Sequence, residues 1–385
     1  MRTVKVFYLF LIRLMSMLNI WRRKTNIVYL MSFDSNVDFI KQLASHMPKG
    51  KKLVVYYRRA TEAAATDLAA FGITTRPFKD NLRFVFAGIP RIMTAKVIFC
   101  DNYYAFIGGL VKGPSTKIVQ LWHANGAIKK FGWQDPTTEE RSASDKRRFQ
   151  AVYDKFDDYI VSSESMGRVF SNSYATDMDR MKMLGYPRSD QFFDKDWVTS
   201  TRKRIFRSAP ELANKRVILY APTYRDDKAF SLPKGTAKAL SSDPNAIVII
   251  KLHPVLRDRE GEVRKVRSKQ IRFLHEFSTN ELLTVCDTLV TDYSSVAFDF
   301  SLLDNAKSVI FYMFDLKKYK LDPGIQDDFL DWLPSNPVLS VNELREEISA
   351  AKPTNFDEFN RRWNTYNDGH ASDRVIDHYL SILES

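Results

Sequence analysis

Several apolar, β-branched runs in this 385-residue chain end on residues that can do chemistry. In Q-L-W-H-A-N-G-A-I-K-K-F-G (120–132) such a run arrives at His123, Gly126 permits a tight turn, and Lys129 and Lys130 follow. A neutral imidazole there can take a proton from a hydroxyl near neutral pH, and the lysines are expected to keep it neutral. The alternative, a satisfied core histidine, fits poorly with the loop-forming A-N-G-A. In T-D-Y-S-S (291–295), Asp292 leads to Ser294 and Ser295, which are expected to open a helix. Two hydroxyls beside free N–H groups at the positive end of a helix dipole suit a phosphate, although one serine alone is often only a cap. In A-P-T-Y-R-D-D (221–227), Thr223 and Arg225 follow a proline-set turn. A guanidinium so placed can hold a diphosphate through two parallel hydrogen bonds, or can simply pair with Asp226 or Asp227. K-L-H-P (251–254) places His253 to donate to a phosphate or leaving group, with Lys251 on the same face; a structural histidine is the alternative.

The patterns left out narrow the chemistry. There is no G-x-x-x-x-G-K phosphate loop, no G-x-S-x-G nucleophile elbow and no His/Cys cluster at zinc spacing. No cofactor is required by these residues, though Mg²⁺ could accompany a diphosphate.

The elements that must position these residues alternate. Strands are expected over Ile27–Phe33, Lys52–Tyr57, Val97–Asp101, Ile118–His123 and Tyr159–Ser163, with helical patterns such as Glu62–Phe71 and Asn81–Met93 between them. A second series runs Val217–Pro222, Ile247–His253, Ile271–His275, Thr288–Thr291 and Val309–Phe314, interleaved with helices at Asn280–Cys286 and Ser295–Leu303. This is the pattern of two α/β, doubly wound parallel-sheet halves. Polar Phe192–Ala213 reads as their connector, and the tail after Val338 reads as helices. In open α/β sheets ligands bind outside the carboxyl ends of strands, which is where these residues collect.

Lys and Arg exceed Asp and Glu by 12 (58 against 46), so an anionic partner is expected. The basic residues are scattered, with short runs at Lys203–Arg207 and Arg264–Arg272, so nucleic acid is not expected. Cys100 and Cys286 read as buried free thiols. Between Lys5 and Arg13 lie seven apolar residues, too few to span a bilayer, and no cleavage site follows. On a helix, Arg2, Lys5, Arg13, Ser16, Asn19 and Arg23 share one side, while Leu11, Leu14, Met15 and Leu18 cover much of the rest. The segment reads either as a helix lying in an anionic membrane interface or as one packed on its own domain; the flanking cations favour the membrane.

Taken together, Q-L-W-H-A-N-G-A-I-K-K-F-G, A-P-T-Y-R-D-D, K-L-H-P and T-D-Y-S-S-V-A-F-D-F-S-L-L-D resemble the CDP-glycerol glycerophosphotransferase family of teichoic acid synthesis, in order and spacing, from about Asn26 to the last helix. D-N-Y-Y-A-F-I-G-G (101–109) and the W-H-A-x-G-A form resemble its glycerol-phosphate primases more than its chain-extending polymerases. The resemblance implies a GT-B-like fold, with two Rossmann-like domains facing a cleft. With the helix read from the residues over 1–24 ahead of it, the resemblance implies an acceptor-side domain over 25–200, a CDP-glycerol-binding domain over 201–350, and helices over 351–385 packing back across them. It implies transfer of one glycerol phosphate from CDP-glycerol to a ManNAc-GlcNAc disaccharide on undecaprenyl diphosphate, with CMP released, at the cytoplasmic face of the membrane. His123 and His253 would be catalytic. Arg225, Ser294, Ser295, Thr223, Gly126 and Lys129 would contact substrate, and Asp292 and Asp299 would orient groups or meet the ribose.

Overall fold

The computed structural model describes residues 2–223, 225, 232–252 and 268–384. His253, together with Tyr224, Asp226 and Asp227, lies outside the described residues. Two all-parallel sheets form from the two expected series. The first contains β1 (Asn26–Met31), β2 (Leu53–Tyr57), β3 (Thr74–Pro77), β4 (Ala95–Cys100), β5 (Lys117–Gln120), β6 (Asp158–Ile160) and β7 (Met181–Lys182), in the order β3-β2-β1-β4-β5-β6-β7. The second contains β8 (Arg216–Tyr220), β9 (Ala246–Ile250), β10 (Ile271–Arg272), β11 (Thr288–Thr291), β12 (Ser308–Tyr312) and β13 (Pro337–Val338), in the order β10-β9-β8-β11-β12-β13. Each sheet reverses its strand order once, at β1/β4 and at β8/β11. Those two places are the topological switch points at which such sheets bind ligands.

The chain divides into two compact units. Unit 1 is Met1–Ala124, Phe131–Asp190 and Tyr366–Ser385; unit 2 is Asn125–Lys130 and Gln191–Thr365. The boundary therefore falls at 190/191 rather than 200/201. The stretch read as a polar connector is a helix of unit 2, Lys195–Ser208, capped by Asp194 and burying Val198, Thr201 and Ile205 at helical spacing. The tail is not a separate element. Helix Asp357–Trp363 stacks Phe359 on Phe298 in unit 2, whereas Ala371–Glu384 buries Val375, Ile376 and Tyr379 in the core of unit 1. That core is one face of the first sheet (Ile27, Tyr29, Leu53, Val55, Val97, Phe99), covered also by helices α2 (Val37–Ser45) and α3 (Glu62–Ala70).

The N-terminal helix α1 (Arg2–Leu18) belongs to unit 1. It buries Ile12 and Ser16, and the Ser16 hydroxyl accepts a hydrogen bond from the Val111 N–H at 2.9 Å. Ser16, placed on the solvent side by the sequence pattern, is thus an inward contact. What stays exposed is an apolar stripe of Phe7, Phe10, Leu14, Met17 and Trp21, the last 93% exposed. Among the described residues no helix is long and apolar enough to cross a membrane.

Candidate active site

In unit 1 the strand leading to His123 ends earlier than expected, at Gln120, because Trp122 adopts a left-handed backbone (φ 63°). For a bulky residue this is strained, and such strain persists where surroundings hold it. Here the Gln120 side-chain carbonyl accepts from the Trp122 N–H at 2.8 Å, and the indole packs against Phe131, Phe170 and Tyr174. The kink turns His123 toward the carboxyl end of β4. Its Nδ1–H donates to the Asp101 carbonyl at 3.0 Å, and the Phe33 ring stacks on it at 4.1 Å. A carbonyl can only accept, so the proton sits on Nδ1 and Nε2 keeps its lone pair. Burial lowers the imidazole to about pKa 4, with the Arg188 guanidinium acting in the same direction. Lys129 and Lys130, expected to keep the ring neutral, are not among the causes. Lys130 instead pairs with Asp327 in unit 2.

Asp101, fully buried, ties this switch point together. Its carboxylate accepts from the Ser32 and Phe33 N–H groups at 2.8 and 2.9 Å and from the Tyr104 hydroxyl at 2.9 Å. Burial raises the carboxyl to about pKa 7 against those three hydrogen bonds. Asp101 thus fixes both the loop that supplies Phe33 and, through its carbonyl, the imidazole.

In unit 2 the corresponding place after β11 holds Asp292. One of its oxygens accepts from the Thr223 and Tyr293 N–H groups at 2.8 and 2.7 Å, and the other pairs with Arg225 at 2.8 Å. Arg225 also pairs with Asp315 at 2.8 Å and donates to the Thr223 carbonyl at 2.8 Å. Its side chain is 8% exposed. Burial alone lowers its pKa, but the Asp292 and Asp315 carboxylates more than reverse this and the net shift is upward. The arginine read as a diphosphate clamp is therefore held, among the described residues, by the Asp292 and Asp315 carboxylates. Among the described residues, Arg225 and Asp292 hold each other and the Thr223 backbone in place. Asp299, 1% exposed on the helix Val296–Phe300, is likewise internal.

The groups able to reach a ligand are smaller. The Thr223 hydroxyl is buried and makes no hydrogen bond among the described residues. Ser294 and Ser295 are half-buried; Ser295 stands at the N-cap position in helical conformation without capping through its side chain. Lys129, bridged to Ile325, sets its ammonium 5.9 Å from the Tyr319 ring, and that ring stacks on Tyr293 at 3.7 Å. Gly126 (φ 62°) serves packing: a Cβ there would sit 2.4 Å from the Phe298 ring, so the close approach is to Phe298. No group of three His, Cys, Asp or Glu side chains positioned to hold a metal occurs among the described residues.

The profile of the family described as CDP-Glycerol:Poly(glycerophosphate) glycerophosphotransferase matches residues 16–381. The chain belongs to this family. A teichoic acid glycerol-phosphate primase of Bacillus subtilis (strain 168) is 30% identical over 366 residues, 94% of this chain and 93% of that one. A teichoic acid poly(ribitol-phosphate) polymerase of Bacillus spizizenii is 31% identical over 301 residues, 74% of this chain and 46% of the relative. The solved structure of the wall teichoic acid polymerase TagF matches with a TM-score of 0.68 at 18% identity, covering 94% of this chain and 90% of that one, which shows a shared GT-B-like fold.

As a CDP-glycerol glycerophosphotransferase, the chain holds its histidine with Asp101, which opens a quoted motif but was given no role there, and with Phe33 and Arg188, which no motif singled out. Asp101 was visible as a strand-end acid. Its bonds to Ser32 and Phe33 span 69 and 68 residues, and nothing local signals them. For Arg188, whose guanidinium donates to the His123 carbonyl at 3.1 Å, the sequence offers no signal.

Proposed function

We propose that this glycerophosphotransferase is a teichoic acid glycerol-phosphate primase. It adds one glycerol phosphate from CDP-glycerol to ManNAc-GlcNAc on undecaprenyl diphosphate and releases CMP. The observation carrying the choice is how much of this chain each relative matches: the glycerol-phosphate primases of the two Bacillus strains align with 94% and 96% of it, the poly(ribitol-phosphate) polymerase with 74%. In this reading Nε2 of His123 takes the proton of the acceptor hydroxyl as its oxygen attacks the glycerol-bearing phosphorus. The bond from that phosphorus to the bridging oxygen breaks, and CMP leaves with the electron pair. Phosphoryl transfer rests mainly on positioning and charge stabilisation. The Thr223, Ser294 and Ser295 hydroxyls and the Lys129 ammonium are assigned to the donor phosphates. Arg225, Asp292 and Asp101 are positioning residues. His253 is assigned, from sequence, to the charge passing to CMP.

The lipid-borne acceptor calls for a membrane surface, and α1 is assigned to it as a peripheral contact at the cytoplasmic face. Its exposed stripe of Phe7, Phe10, Leu14, Met17 and Trp21, beside exposed Lys5, Arg13, Arg22 and Arg23, supports this reading. Phe10→Glu with Trp21→Glu should abolish flotation with phosphatidylglycerol vesicles; unchanged flotation rules out α1 as the contact.

The reaction is tested by incubating the protein with radiolabelled CDP-glycerol and a short-lipid analogue of the disaccharide diphospholipid, with products sized by mass spectrometry. A single addition with CMP released supports the primase. A ladder of additions makes it a polymerase. Donor binding without product removes the acceptor assignment.

A further inference from the structure

On the sheet face opposite the main core of unit 1 lies a cavity of about 190 Å³, lined in part by Arg22, Lys52, Tyr56, Arg76 and Arg91. The strand register explains how it forms. Val28, Val54 and Thr74 lie side by side, as do Leu30, Tyr56 and Arg76, so alternate residues of β1, β2 and β3 project together toward this face. Arg91 comes from α4 (Ile89–Ile92), and Arg22 follows the end of α1. Four cations line the cavity and no carboxylate does. None of the four makes an ion pair among the described residues. Arg22 donates to the Asn19 side chain and Arg91 to the Ala87 carbonyl, both neutral acceptors.

A second observation is independent of charge. Tyr56 is 3% exposed, and its hydroxyl has no hydrogen-bond partner among the described residues. Its ring is fixed edge-on to Phe84 at 6.0 Å. Burial raises its pKa, and the Arg76 and Arg91 guanidinium groups pull it back, which places the phenol within reach of both charges. A buried donor left without an acceptor is costly, and uncompensated cations around it repel one another. One kind of occupant relieves both: an anion with several acceptor oxygens. Arginine forks match phosphate geometry in particular.

We propose that this cavity is a phosphate-binding site, taking a phosphate ester in contact with Tyr56 Oη and the Arg22, Lys52, Arg76 and Arg91 cations. Its lining begins at or before the strand starts (Asn26, Lys52, Thr94) and includes none of the residues that contact His123, so it is separate from the transfer chemistry. Its volume, several times that of a water, admits a phosphate with a small esterified alcohol. The source is either a lipid headgroup, reached beside the exposed Trp21 at the end of α1, or a free phosphate compound.

The test is calorimetric titration of the full-length protein with inorganic phosphate and, separately, with monomeric dihexanoyl-phosphatidylglycerol, using dihexanoyl-phosphatidylcholine as the zwitterionic control. Both anionic probes should bind, and affinity should fall as salt is raised. Arg76→Gln should weaken binding at least tenfold. Tyr56→Phe, which keeps the ring against Phe84, should weaken it severalfold without lowering the melting temperature, so lost binding cannot be read as unfolding. Phosphatidylglycerol binding tighter than phosphate, and displaced by it, assigns a headgroup; equal affinities assign free phosphate. If neither anion binds, or if both variants bind like the parent, the site does not exist.

Discussion

The two switch points are built on one plan with opposite electrostatics. Each has a buried aspartate directly after the strand that reverses the order, Asp101 after β4 and Asp292 after β11. Each aspartate accepts backbone N–H groups from the loop of the neighbouring strand, Ser32 and Phe33 in one case and Thr223 in the other. Unit 2 adds a cation: Arg225 pairs with both Asp292 and Asp315. Unit 1 provides no such partner. Asp101 is held by hydrogen bonds alone and is raised to about pKa 7, and the residue it supports is a neutral imidazole. The same backbone device thus supports a neutral imidazole in one unit and a charge-compensated arginine in the other. A general base needs a lone pair free at neutral pH, while a diphosphate site needs donors that do not move.

The largest effect expected from this contrast is on turnover. His123→Ala should lower kcat by roughly 10²–10⁴-fold while leaving the Kd for CDP-glycerol close to that of the parent, because general base catalysis contributes about that much. A parallel loss of donor affinity would mean that His123 belongs to the binding end. Next comes stability. Arg225→Ala leaves the buried Asp292 and the half-buried Asp315 without their shared cation, and breaking a buried pair such as Arg225–Asp292 costs about 3–5 kcal/mol. Chemical denaturation should show that loss, and Arg225→Lys should recover only part of it because an ammonium cannot serve both acids with a planar fork. A loss below 1 kcal/mol would show that these pairs do not hold the region as described.

What the sequence made legible was the set of strand ends, because buried parallel strands read as apolar runs and their chemistry begins where the runs stop. Strands β3, β7 and β13 escaped notice because Thr74–Pro77 is a partly exposed edge and the other two are only two residues long. The residue types at the site were legible too, but their partners were not. Among the described residues Arg225 pairs with carboxylates 67 and 90 residues away (292 − 225 and 315 − 225), which no local pattern announces. Local sequence shows that a charge is present; only the fold determines which countercharge it meets. The helix Lys195–Ser208 is the opposite case, since its buried Val198, Thr201 and Ile205 were readable beneath a basic surface.

A subtler contrast concerns pH. The Asp101 carboxyl is raised, so the folded state holds its proton more tightly than the unfolded chain does. Its contribution is therefore full below the unfolded value near pH 4 and is lost as pH rises through about 7. His123, lowered to about 4, acts in the reverse sense: its contribution is present above the unfolded value near 6.5 and is lost as pH falls through 4. Subtracting the stability curve of Asp101→Asn from that of the parent isolates the first effect. The difference should decline from pH 4 to 7 by on the order of 3 kcal/mol. A difference that rises with pH would mean Asp101 is ionised throughout, and the asymmetry between the two aspartates would vanish.

The smallest change tests whether the charge-compensated unit meets a ligand at all. Thr223→Val removes a buried hydroxyl that has no partner among the described residues, and it preserves the side chain's shape. In the free protein no hydrogen bond is lost, so the melting temperature should hold or rise slightly. With the donor bound, one hydrogen bond to a charged phosphate is missing, which is worth about 1.5 kcal/mol, or roughly tenfold. If that bond is made equally in the ground and transition states, KM for CDP-glycerol rises and kcat stays put. A fall in kcat at constant KM would place Thr223 on the charge that develops during transfer, and the binding end would then share in the chemistry assigned to the other.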